Sequence, residues 1–192
     1  MTALIAGLLL FLGLHSVRIF APQWRSRQIA ARGEKAWKGL YSLVSLAGLV
    51  LIVWGYGQTR AAPMWLWVPP LGMRHAAALL TLLSFILIAA AYVPRNALKA
   101  RLHHPMVLGV KVWAFAHLLA NGTVADVLLF GSFLAWAIVL YAVSRRRDRA
   151  AGVTYPPGTA GGTLRAVAAG AAAWAVFAFW AHEWLIGIAP LG

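Results

Sequence analysis

The sequence predicts an all-α, polytopic membrane bundle: six transmembrane helices in a single domain over residues 1–192. Three observations carry that. Hydrophobic residues make up 62% of the chain and charged residues 11%, against about 25% charged in a soluble domain, so too few polar side chains exist to coat a water-soluble globule. The apolar residues fall into six runs near the ~20 residues that cross a hydrocarbon core. The 17 Lys and Arg, set against four Asp and Glu, gather in clumps between those runs and not along a soluble face, which points to membrane-flanking charge and away from nucleic acid. A mean hydropathy of +0.76 also excludes disorder. With no cysteine in the chain, disulfides, thiolate chemistry, iron–sulfur clusters and covalent haem attachment drop out together.

The first span is read at residues 2–20. Its bases follow the apolar stretch and do not precede it, so it reads as a membrane span and not as a cleaved leader. A basic loop leads to the second span at 39–57. A Pro- and Trp-rich loop (Pro63, Trp65, Trp67, Pro69, Pro70) precedes the third at 75–93. The fourth, 105–120, is short and opens on Pro105, a residue suited to a first helical position. After the Asn121-Gly122 turn comes the fifth at 124–143, with Thr123 and Asp126 spaced as a capping box. A basic, then Gly/Pro-rich loop leads to the sixth at 164–188. There, Gly170 among alanines permits close helix packing or simply belongs to an Ala-rich helix. Trp37, Tyr41, Trp54, Tyr56, Trp65, Trp67 and Trp184 fall at helix ends, as an aromatic belt does.

Orientation follows from the bases. Arg18, Arg25, Arg27, Arg32, Lys35 and Lys38 lie in the first loop, Arg95, Lys99 and Arg101 in the third, and Arg145, Arg146, Arg147, Arg149 and Arg165 in the fifth, so fourteen of the 17 bases share one side. The positive-inside rule places that side in the cytoplasm, with both termini outside.

Ionisable groups at membrane depth are costly and mark function by default. His15 lies about 20 Å along its helix from Thr2, and His117 about 18 Å from Pro105. Each could simply bond a neighbouring carbonyl. Two such rings on separate helices, without an acid nearby, favour a shared ligand. An apolar, aromatic-rich bundle with two imidazoles suits haem b, although His suits several metals. Phe11 and Trp113, one turn before each His, are expected beside the rings, and Arg18 shares the face of His15. His104, 13 residues before His117 and so about 220° around the helix, cannot ligate the same centre. It remains a separate candidate with Lys111, which is long enough to snorkel to the interface. His103, like His104, precedes Pro105 in the cytoplasmic headgroup layer, where an interfacial role suffices; His75, His182 and Glu183 read as solvated helix ends or as a small outer site.

Three segments bear a resemblance: His15-Ser-Val-Arg18, the stretch from Gly33 through Trp37 and Tyr41 to Ser45, and His104-Pro-Met-Val-Leu-Gly109 continuing through Trp113 and His117 to Gly122. They resemble the NnrU family of bacterial membrane proteins and, through it, zeta-carotene isomerase. The resemblance implies a role supporting nitrite and nitric oxide reductases in denitrification, or a haem-dependent cis–trans isomerase of a hydrophobic polyene. It implies haem b with His15 and His117 as axial ligands. The implied partners are the bilayer, haem, and a hydrophobic small molecule or reductase components. A cofactor-free assembly factor is the third alternative. Where the isomerase carries a cysteine ligand this chain has Ala114, so no Cys/His exchange is available. The His-Pro-Met-x-x-Gly fragment is also similar to membrane isoprenylcysteine methyltransferases, but no Glu lies between Val143 and Glu183, and methyl transfer is not expected.

Overall fold

The computed structural model describes residues 1–191, and every element of it among those residues is helical. In order these are α1 (Thr2–Phe20), α2 (Pro22–Arg32), α3 (Glu34–Thr59), α4 (Gly72–Tyr92), α5 (Ala97–Leu102), α6 (Pro105–Ala120), α7 (Val124–Ala150) and α8 (Ala160–Val176). A π-helical turn (Phe177–Ala181) then joins α8 to α9 (His182–Ile186). Five stretches are long and apolar enough to cross a membrane, the last of them running from Ala160 to Ile186, and α6 is a shorter apolar helix. The chain is a multi-pass membrane protein in contact with lipid.

The helices overrun the expected spans where polar residues can still be helical. The first basic loop is itself a helix, α2, opened by Pro22 in the first turn and closed at Gly33, whose φ of +83° an L side chain rarely adopts. α3 begins at Glu34, where an acid favours a helix start and pairs with Lys38 one turn on at 2.8 Å. α7 runs on through the arginines to Ala150.

Two compact units make up the chain: residues 1–66 with 123–132, and residues 67–122 with 133 onward. In the first, α1 and α3 pack antiparallel. Gly55 meets Leu4, Gly7 meets Ile52, and Gly48 meets Phe11, with the backbones so close that a Cβ at any of these glycines would overlap main chain. Small residues allow that approach, and dispersion along the seam replaces the hydrophobic drive that lipid cannot supply. The capping box forms as expected. Thr123 Oγ1 accepts from Asp126 N at 3.2 Å, while the Asp126 carboxylate accepts from Thr123 N at 2.8 Å. A further bond ties this cap to α3: Tyr56 OH donates to Asp126 Oδ1 at 2.6 Å.

In the second unit α4 is central, with α6 and α8 packed on it. Ser84, fully buried, donates to Gly109 O of α6 at 2.8 Å. On the other side Gly170 lies against the backbone of Phe85 and Ile86, so of the two readings left open for it close packing holds. Asn96, 1% exposed, caps α5 by accepting from Lys99 N at 2.7 Å and donates to Ala90 O at 2.8 Å. Thr159, which caps α8, donates its backbone N–H to Arg95 O at 2.7 Å. The segment before α8 is thereby fastened to the α4–α5 corner.

Candidate functional site

The two membrane-depth histidines are built alike. His15 Nδ1 donates to Phe11 O at 2.7 Å, and its ring stacks on Phe11 with centroids 4.2 Å apart. His117 Nδ1 donates to Trp113 O at 2.9 Å, and its ring lies 5.1 Å from that of Trp113. A carbonyl can only accept, so in each neutral ring Nδ1 carries the proton and Nε2 holds the lone pair. Both bonds span one helical turn, so each follows from local sequence. Tyr41 of α3 meets the His15 ring edge-on at 5.2 Å. That contact continues the register set by Gly55, Gly7 and Gly48. In the second unit Trp113 also meets Phe133 edge-on at 5.5 Å, and Asn121 Nδ2 donates to His117 O at 2.8 Å.

Each imidazole, taken by itself, presents Nε2 as a donor of the kind that binds metals. Ligating histidines commonly donate the other ring N–H to a carbonyl, which fixes the ring and raises its basicity. Aromatic rings flank both imidazoles, which are half-buried. Arg18 is exposed near the end of α1, on the face of His15. Ala114, fully buried, offers no donor atom. Among the described residues no group of three His, Cys, Asp or Glu could hold an ion by itself.

His104 makes a separate set of contacts. It is the N-cap residue of α6, and its Nε2 lies 2.8 Å from Asp148 Oδ2 near the end of α7. The same oxygen accepts from Tyr155 OH at 2.7 Å. His103 adopts φ +68° and places its ring 4.2 Å from that of Tyr155, with its buried Nδ1 left without a hydrogen-bond partner. Burial and the neighbouring Arg145 push the His103 pKa down. Tyr155 is pushed up to about 12, first by burial and then by its bond to Asp148 and that group's charge. The sequence singles out His104 as a candidate separate from the two membrane-depth histidines, but it does not join it to His103, Asp148 or Tyr155. Tyr155 is 51 positions from His104, and no periodic signal spans such a gap. Lys111 is half-buried and makes no hydrogen bond or ion pair among the described residues. His75 is exposed, and His182 Nδ1 donates to Ile188 O at 2.7 Å beside Phe177. A family model described as NnrU protein matches residues 3–190. No curated protein and no solved structure matches the chain.

Proposed function

The chain belongs to the NnrU family, and on that footing we propose that it is a haem-b-binding protein of the bacterial inner membrane that supports nitrite and nitric oxide reductases in denitrification. Family membership supports the denitrification setting. One observation carries the haem: the common construction of His15 and His117, each with Nδ1 tied to a carbonyl and Nε2 carrying the lone pair.

The residues fit the group. With no cysteine available, haem b held non-covalently through imidazole would be the form that suits this chain. His15 and His117 would ligate the iron. Bound haem supplies one-electron redox chemistry. The chain's own residues do the rest. The Phe11 and Trp113 carbonyls hold the rings in orientation and strengthen Nε2 as a donor. The rings of Phe11 and Tyr41 pack against His15 and that of Trp113 against His117, lowering the local dielectric so that charge there is less screened than in water. Arg18 offers a cation to a propionate at the interface. The buried methyl of Ala114 leaves no ligand to exchange, which sets the redox reading ahead of the isomerase.

The visible spectrum of protein purified with haem supplied tests this. Two imidazoles give sharp low-spin bands. His15→Ala or His117→Ala should each abolish the six-coordinate form, leaving at most a weakly held five-coordinate one. A colourless preparation refutes the haem reading and leaves the cofactor-free assembly factor. Unchanged low-spin bands in either variant refute the ligand assignment alone.

A further inference from the structure

The connection between the first two spans has a surface of its own. α1 has 19 residues and is about 28 Å long at 1.5 Å per residue, close to the roughly 30 Å of a hydrocarbon core. Its end at Phe20, 78% exposed, therefore lies at the hydrocarbon boundary, and α2 follows after the single residue Ala21. No residue of α2 is buried. Its Trp24 is 44% exposed and rests edge-on against the buried Trp37 at 5.8 Å, so an amphipathic ring is pinned at headgroup level. Around it stand Arg27, Arg32 and Lys35, all exposed and without an ion pair or hydrogen bond among the described residues. The one acid of this stretch, Glu34, is engaged by Lys38 at 2.8 Å.

We propose that α2 and the first turn of α3 form a recognition surface for anionic phospholipid, with Trp24 inserted among the headgroups and Arg27, Arg32 and Lys35 binding their phosphates. Three uncompensated cations at the height of the headgroups complement a net negative lipid. A zwitterionic lipid offers them no net charge. Each base near an anionic membrane surface favours binding by about fivefold, so the three together amount to about two orders of magnitude in preference. The surface lies in the first unit and does not depend on haem.

The test uses the full-length protein in vesicles at a fixed mole fraction of brominated phosphatidylglycerol or brominated phosphatidylcholine. The Trp24 signal is taken as the difference between the unaltered protein and Trp24→Phe. Brominated phosphatidylglycerol should quench that signal more strongly, and the triple variant Arg27→Gln, Arg32→Gln, Lys35→Gln should remove the excess. Equal quenching by the two lipids overturns the proposal, as does an excess that survives the triple substitution. Absence of quenching by either lipid overturns it too, because α2 would then stand off the bilayer. Should the triple variant fail to fold, the unaltered protein at 1 M salt serves instead. The phosphatidylglycerol excess should collapse there, while phosphatidylcholine quenching stays unchanged.

Discussion

Gly7 and Gly13 lie on one helix, yet alanine should act oppositely at the two. At Gly13 nothing stands within 4 Å of a new Cβ. The substitution should therefore stabilise α1 by up to about 0.5–1 kcal/mol through helix propensity. At Gly7 the Cβ would lie 2.6 Å from Ile52 N and 2.9 Å from both Gly48 O and Leu51 C, where ordinary contact begins at 3.4 Å. All three are backbone atoms of α3, which cannot turn aside as a side chain can. The helices must part by about 0.8 Å at the nearest contact, and a gap of that size forfeits a quarter to a half of each dispersion well it opens. Both variants gain the same propensity, so their difference isolates the overpacking cost. That cost runs to about 1–3 kcal/mol, and rigid blocking atoms place it in the upper half. At about 2–3 kcal/mol, the unfolding equilibria of the two variants should differ by roughly 30- to 150-fold. Reversible unfolding in bicelles by steric trapping would measure this. A difference below about 0.5 kcal/mol, the scatter of ordinary surface substitutions, would refute the seam as described. Because α1 carries His15 against Tyr41, the same parting should also weaken any ligand that His15 holds.

Reporter fusions address orientation: a C-terminal fusion should read periplasmic and an insertion near Gly158 cytoplasmic, while the reverse pattern at both sites would overturn the charge-based topology. His104→Ala should leave the haem spectrum largely intact, because His104 Nε2 is engaged by Asp148. It should destabilise the second unit by about 1 kcal/mol, read by thermal unfolding, since the pair is partly exposed. Loss of haem as complete as in His117→Ala would contradict that. Tyr155 has its folded-state pKa raised from 10.0 to about 12. Burial first, and then the bond to Asp148, favour the neutral phenol, so the folded state holds a contribution to stability that is complete below pH 10 and lost as pH rises towards 12. An ultraviolet titration differenced against Tyr155→Phe should show one tyrosinate appearing late. Ionisation near pH 10 would mean that Tyr155 is neither buried nor bonded to Asp148 as described.

Composition and periodicity alone determined the membrane class and the approximate spans, because burying a helix in lipid requires a continuous apolar run whatever its neighbours. The capping box at Thr123 and Asp126 was legible for a related reason: its partners lie within one turn. So were the neighbours Phe11 and Trp113, one turn before His15 and His117, while the bond of each ring to the carbonyl four residues back came only with the structure. What lies far apart in sequence was decided by tertiary structure. The Tyr56 bond to Asp126 joins residues 70 apart, and the bond from His104 to Asp148 joins residues 44 apart. The helical character of α2 also escaped the span count, since its residues are polar and its ends are set by Pro22 and Gly33. Close approach at Gly7, Gly48 and Gly55 depends on which helix lies opposite. Only packing can tell a glycine that admits a backbone, such as Gly7, from one that faces open space, such as Gly13.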